Sequence, residues 1–327
     1  MSKVLITTVP FANKDPLPLQ LLEKAGIDYL INPIGRKLQE YELAEMICDF
    51  DVIIAGTESI TEKVMANGKN LKLISRVGIG LDNVDLLAAK KRGILVSYTP
   101  DAPAPAVAEL TIGMMLTLLR YVHLANSQMH QGLWHRHFGR RISEITIGII
   151  GAGRIGSGVI RRLSSFNPSK ILVNDINFSS EFSSMPWVHS ATKDEIYKQA
   201  DLISLHLPLT AQTKNMIQYD DLREMKKDAI IINTSRGGII NESGLARVLI
   251  DGHLSGAAID VFEQEPYQGE LQDIERCLLT SHMGSMSIDC RTRMEIEATE
   301  EAVRFHLGEP LVKLVPEQEY EVQRSVL

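Results

Sequence analysis

Three glycines, Gly151, Gly153 and Gly156, stand in the segment "ITIGIIGAGRIGSG", directly after an apolar run and directly before a pattern in which Ile155, Val159 and Leu163 share one helical face. Strand, glycine turn and helix in that order form a dinucleotide-binding fingerprint. Gly151 permits the tight turn, Gly153 lets the backbone approach a pyrophosphate, and Gly156 lets helix and strand pack closely. The free N–H groups of the helix N-terminus then meet phosphate. The next strand, "KILVND", closes on Asp175, nineteen residues past Gly156. An acid there accepts hydrogen bonds from ribose hydroxyls and repels a 2′-phosphate, and no Lys or Arg follows in "NFSSEFSS", so NAD is favoured over NADP. Arg154 either assists the pyrophosphate or faces solvent.

Three further stretches carry groups able to handle protons and anions: "INTSRGGIINE" around Arg236, "AAIDVFEQEP" with Asp260 and Glu265, and "LLTSHMGS" with His282. Each follows an apolar strand, so each falls at a strand's carboxyl end, where open α/β sheets hold their ligands. They are placed to converge on one crevice. Each also has an ordinary alternative: Arg236 as a surface ion-pair partner, Glu265 as a solvated turn acid, His282 as a satisfied histidine.

The elements that must position these groups read as two alternating series. In the first hundred residues "KVLITT", "DYLIN", "DVIIAG", "LKLIS" and "ILVSY" look like strands, with helical stretches at 17–25, 38–48 and 84–92. The second series runs from "EITIGII" through "KILVND", "DLISLHL", "DAIIINT" and "SGAAIDVF" to "CLLTSH", with a helix expected between each pair of strands. Both series imply parallel, doubly wound sheets. The Pro-rich "YTPDAPAPAV" marks a crossing between domains, and the apolar stretch 104–119 reads as a buried helix, too short to span a membrane. After the second sheet, Met294, Ala298, Ala302 and Phe305 share a helical face, which suits a helix that returns to the first domain.

Bulk properties agree with a two-domain globular protein: 327 residues, 44% apolar, 23% charged. A net charge of −7 without a long basic run argues against nucleic acid. Cys48, Cys277 and Cys290 are scattered and odd in number, which fits reduced thiols better than disulfides or a metal site. The start, "MSKVLITTVP", reads as a strand rather than a signal peptide, so a cytoplasmic protein away from membranes is expected.

The combination resembles the D-isomer-specific 2-hydroxy acid dehydrogenases, most closely their phosphoglycerate dehydrogenase-like branch. "SRVGIGLDNVDL", "VAELTIGMML", "GAGRIG", "LHLPLT", "NTSRGGIIN", "AAIDVFEQEP" and "SHMGS" occur in family order over nearly the whole chain. The resemblance implies a Rossmann NAD-binding domain inserted into a flavodoxin-like substrate-binding domain. The substrate-binding domain would take 1–100, the NAD-binding domain 101–286, and the return helix and tail 287–327. That insertion explains why the glycine loop begins almost halfway along the chain.

By the same resemblance Arg236 would bind the substrate carboxylate and carbonyl oxygen, a task for a planar, permanently charged fork. His282 would exchange a proton with the substrate oxygen, and Glu265 would hold the imidazole and favour its charged form, an effect worth on the order of one to three pKa units. Asp260 would position the nicotinamide, with Ile155, His206, Pro208, Thr234 and Ser235 lining the cofactor. Val77 and Gly78 would offer backbone donors to the substrate carboxylate, supported by Asn83. A homodimer through the nucleotide-binding domain is implied as well.

The chain departs from the branch at two places. Ala55 stands where an arginine that grips a distal phosphate is expected, and Asp101 and Pro103 replace a usual Gly and Asn. A different 2-hydroxy acid would follow, unless Trp134 and Arg136, with Arg140 and Arg141 close by, supply the cation. The expected activity is NAD-dependent interconversion of a small D-2-hydroxy acid and its 2-oxo acid, with 3-phosphoglycerate/phosphohydroxypyruvate among the candidates. Formate or phosphite as donor is another possibility within the enzyme reading. The alternative of another class is an NAD(H)-sensing, corepressor-like binding module with little turnover. No regulatory small-molecule domain is expected after Leu307.

Overall fold

The computed structural model describes residues 2–324 and divides into two units, one running to Pro103 and resuming at Met286, the other Ala104–Ser285. In the first unit, β1 (Lys3–Ile6), α1 (Leu17–Lys24), β2 (Asp28–Ile31), α2 (Glu40–Met46), β3 (Val52–Ala55), α3 (Glu62–Asn67), β4 (Leu73–Arg76), α4 (Leu86–Lys91) and β5 (Leu95–Tyr98) alternate. The strands form one parallel sheet ordered β2-β1-β3-β4-β5, the flavodoxin-like arrangement.

The second unit begins with α5 (Pro103–Leu119) and α6 (Val122–His130). It continues as β6 (Thr146–Ile150), α7 (Arg154–Leu163), β7 (Lys170–Asn174), α8 (Ser180–Ser183), β8 (Val188–Ser190), α9 (Lys193–Gln199) and β9 (Leu202–Leu205). It closes with α10 (Tyr219–Glu224), β10 (Ile230–Asn233), α11 (Glu242–Ile250), β11 (Gly256–Ile259) and β12 (Cys277–Leu279). Its seven parallel strands are ordered β12-β11-β10-β9-β6-β7-β8. Both faces are covered, and side chains alternate between them: Ile230 and Ile232 pack to one core, Ile231 to the other. The apolar α5 lies in the first of these cores through Ala108, Ile112, Met115 and Leu119, so its burial is met within its own unit.

Two expectations change. Between β11 and β12 the chain makes only a 3₁₀ turn, Glu270–Asp273, in place of a helix, and Tyr267 stacks on Phe262 in the same connection. The edge strand β8 is three residues long, too short to show an alternating pattern.

The return helix α12 (Ile288–Leu307) packs on α1, β3 and β4, burying Met294, Ala298 and Ala302. Ser75 Oγ donates to the carbonyl of Ala298 at 2.7 Å. Beyond the helix the chain pairs antiparallel with the edge of β5 (Tyr98 N to Lys313 O, Val315 N to Val96 O), which closes an otherwise open sheet edge. It then forms α13 (Glu317–Arg324), which packs on α4. Among the described residues no single helix is long and apolar enough to cross a membrane.

Candidate active site

Because all seven strands of the second unit run parallel, the loops after β6, β7, β9, β10, β11 and β12 leave on one edge. β6 is flanked by β7 on one side and β9 on the other. The chain reverses its direction of winding between β6 and β9, the switch point at which such sheets bind ligands.

The glycine loop lies at that point and fits a dinucleotide. Gly151 has φ +93°, and a Cβ there would come within 2.3 Å of the His206 carbonyl oxygen. A Cβ on Gly156 would come within 2.0 Å of the Gly151 carbonyl oxygen. Around Gly153, the N-cap of α7, nothing lies within 4 Å of that position, so the backbone is open to a pyrophosphate. Ile155 packs into the core beneath, and Arg154 is exposed at the first turn. Asp175 holds the loop through Ala152 N, 2.5 Å from its Oδ2, and closes its own turn through Asn177 N, 2.7 Å from Oδ1. Each carboxylate oxygen keeps a lone pair for another donor.

His206 supports the loop from β9. Its Nε2 is 2.9 Å from Ser204 Oγ, and its buried Nδ1 has no hydrogen-bond partner among the described residues. Burial pushes its pKa down from 6.5 to about 3, so the folded ring is neutral. Between these values the unfolded chain binds the proton and the folded one does not, so stability falls as pH falls below about 6.5, by about 1.4 kcal/mol per unit. His206→Gln is therefore expected to lose on the order of 2 kcal/mol less stability than the parent between pH 7 and 4.5, read from urea melts. Equal losses would contradict this assignment. Pro208 is exposed, and its carbonyl accepts from Thr213 Oγ1 at 2.6 Å.

Past β10 the side chains turn inward. Thr234 Oγ1 meets Thr111 Oγ1 at 2.9 Å, and Ser235 donates from N and Oγ to Asn233 Oδ1 at 3.0 and 2.7 Å. Both residues are buried, so these polar groups hold the loop together. Asn233 Nδ2 donates to the Arg236 carbonyl at 2.8 Å, and Arg236 Nη1 to the Ser235 carbonyl at 2.7 Å. At Gly237 the loop touches the one after β11 backbone to backbone: a Cβ there would sit 2.0 Å from the carbonyl carbon and oxygen of Phe262. In that neighbouring loop Phe262 N donates to Glu265 Oε1 at 3.1 Å. His282 Nδ1 lies 2.8 and 3.0 Å from the two Glu265 oxygens. A carboxylate only accepts, so Nδ1 carries the proton of this bond and Nε2 is left for a second partner.

His282 itself has φ +52°, a backbone conformation that costs a non-glycine residue about 1 kcal/mol or more. The buried Asp260 enforces it. Its carboxylate accepts from Thr280 Oγ1 at 2.6 Å, Met283 N at 2.9 Å and Gly284 N at 2.9 Å, and its carbonyl from His282 N at 2.7 Å. The acid expected to position the nicotinamide thus spends its oxygens on the loop that carries the histidine. Asn233, Gly237, Thr280 and Gly284 escape the sequence reading, since their roles are contacts between loops distant in sequence.

In the first unit one expectation is corrected. The N–H of Val77 donates to the Ala55 carbonyl at 2.9 Å and that of Gly78 to Thr99 Oγ1 at 2.8 Å, so neither is a free donor for a substrate carboxylate in this conformation. The tight turn after β4 consumes both. Asn83 Nδ2 binds the carbonyls of Gly56 and Glu58, and its Oδ1 accepts from Arg76 Nε at 3.2 Å, tying two loops together. In the second unit Arg140 pairs with Asp201 and Arg141 with Glu144, which commits two of the four basic-loop candidates to structure. Trp134 and Arg136 are exposed.

The D-isomer specific 2-hydroxyacid dehydrogenase NAD-binding domain model matches residues 112–284. A hydroxypyruvate reductase from Thermotoga maritima is 36% identical over 291 residues, 85% of this chain and 94% of that protein. A D-3-phosphoglycerate dehydrogenase from Methanocaldococcus jannaschii is 34% identical over 96% of this chain, which spans only 60% of that protein's length. The crystal structure of a glyoxylate reductase from Paecilomyes thermophila aligns over 97% of this chain and 99% of that one, with TM-score 0.84 and 28% identity. With the glycine loop and the second unit's parallel sheet in place, these matches establish that the chain belongs to the D-isomer specific 2-hydroxyacid dehydrogenases, NAD-dependent oxidoreductases.

Proposed function

We propose that the chain reduces a small, unphosphorylated 2-oxo acid of the hydroxypyruvate or glyoxylate type to its D-2-hydroxy acid, with Arg236, Glu265 and His282 as the working group. The observation that carries this reading is the Glu265–His282 pair, 2.8 Å at its shortest, with Glu265 on the loop that touches that of Arg236. NAD, when bound, supplies or accepts the hydride. The chain's own residues do the rest. Arg236 holds the substrate carboxylate with two parallel N–H donors and draws charge toward the carbonyl oxygen. His282, fixed at Nδ1 by Glu265, delivers a proton from Nε2 to the oxygen during reduction and takes it back in oxidation. Asp175 accepts from the ribose hydroxyls.

The names of two relatives, hydroxypyruvate reductase and glyoxylate reductase, favour unphosphorylated substrates; so does Ala55, fully buried in β3. A panel of hydroxypyruvate, glyoxylate and phosphohydroxypyruvate, each with NADH or NADPH and followed by nicotinamide absorbance, tests the reading. Fastest turnover of one of the first two with NADH supports it, and no turnover of any substrate rejects it.

The first unit is proposed as the substrate-binding domain and the second as the NAD-binding domain. A homodimer is proposed through α6 and the segment after it, supported by exposed Val122, Met129, Leu133, Trp134 and Phe138. A monomer in sedimentation at micromolar concentration would contradict that assembly.

A further inference from the structure

The loop that carries Glu265 has little backbone pairing to hold it. Among the described residues, 261–264 make no backbone-to-backbone hydrogen bond, and the connection from β11 to β12 contains only the short 3₁₀ turn. Two side chains supply acceptors instead. Glu265 Oε1 takes the N–H of Phe262 at 3.1 Å, which folds the loop on itself without fixing where it stands. Glu242 Oε1 takes the N–H of Glu263 at 2.7 Å, which ties the loop to a neighbouring element.

That element is firmly seated. Glu242 is the first residue of α11, whose Leu245, Ala246, Val248 and Leu249 are buried. Asn241 caps the helix through Gly244 N, 2.7 Å from its Oδ1, and its own N–H donates to the Ile217 carbonyl at 2.9 Å. An acid in the first turn also suits the N–H groups exposed there. Gly237 lets the loops after β10 and β11 close on each other, since a Cβ there would lie 2.5 Å from Glu263 N. Burial, with the charges of Glu263 and Glu265 adding to it, pushes the Glu242 carboxyl above its ordinary 4.5. Either protonation state keeps an oxygen that can accept from Glu263 N.

We propose that Glu242 is a positioning residue for the reaction: its carboxyl, carried on α11, fixes the backbone of the Glu265 loop and through it the orientation of the His282 imidazole. This rests on the proposed roles of Glu265 and His282 and adds what holds them in place. The glycine loop follows β6, separated from β11 in the sheet by β9 and β10, so loss of this tie spares NADH binding.

The test measures kcat for hydroxypyruvate and NADH affinity in the parent, Glu242→Ala, Glu242→Gln, Glu265→Ala and the Glu242→Ala/Glu265→Ala double variant. Glu242→Ala lowers kcat by on the order of tenfold, part of the roughly hundredfold that full misplacement of a reacting group costs, while NADH affinity stays within about twofold. Glu242→Gln keeps the acceptor and restores kcat to within about threefold of the parent. A residue that acts only through Glu265 has nothing left to act on once that side chain is gone, so in the Glu265→Ala background the Glu242→Ala change costs less than about twofold. An equal loss in both backgrounds, a Glu242→Gln protein as slow as Glu242→Ala, or a Glu242→Ala protein as fast as the parent overturns the role of Glu242 alone. A parent that turns over neither hydroxypyruvate nor glyoxylate rejects the proposed function and this proposal with it.

Discussion

Replacing His282 with asparagine is expected to lower kcat for hydroxypyruvate by on the order of a thousandfold while NADH affinity stays within about threefold. The size follows from the chemistry: a positioned proton donor contributes roughly 10²–10⁴ to a rate. Asparagine is among the non-glycine residues that best tolerate φ near +52°, so it suits the backbone that Asp260 imposes. The loop therefore stays in register, and the loss reports the imidazole itself. Glu265→Gln is the milder relative of this change, because it leaves the ring in place and alters only its Nδ1 partner. Stopped-flow turnover with fluorescence titration of NADH separates the two quantities. A His282→Asn protein with turnover near the parent's would remove the histidine from the mechanism.

The second large effect is expected at a residue that has no side chain. Gly237→Ala puts a methyl group 2.0 Å from the Phe262 carbonyl, and the obstacle is backbone, which has no rotamer to change. The loops after β10 and β11 must then part by more than an ångström, and Arg236 moves away from Glu265 and His282. Misplacement of that order costs about a hundredfold in rate, and the strain itself costs roughly 1–3 kcal/mol of stability. Gly113→Ala is the control: it lies in α5, exposed, with nothing within 4 Å of the new methyl group. That change is expected to stabilise by about 0.5–1 kcal/mol and to leave turnover alone. Equal activity in the Gly237→Ala and parent proteins would show that the two loops are not held together as described.

These residues also mark where sequence reading stops. The glycine loop, Asp175 and the strand ends were legible because their signals are local: an apolar run, a turn residue at a fixed offset, a helical face. Arg236, Glu265 and His282 were singled out because each follows a strand, and parallel pairing then puts all three on one edge of the sheet. What stayed hidden depends on contacts between loops far apart in the chain. Gly237 reads as one glycine of a pair until Phe262 is seen against it. Asp260 reads as a cofactor-side acid until Thr280, Met283 and Gly284 are found on its oxygens. The engaged N–H groups of Val77 and Gly78 belong to the same class, since Ala55 and Thr99 reach them through the fold. The 3₁₀ turn before β12 escaped for a different reason, the expectation that every parallel crossover carries a helix.

The most direct test of the account follows the label when hydroxypyruvate is consumed with NADH carrying two deuterium atoms at the nicotinamide C4. The account predicts D-glycerate with deuterium at C2 from the parent protein, and almost no consumption by His282→Asn at saturating NADH. Label absent from C2, or the L-isomer as product, would contradict it.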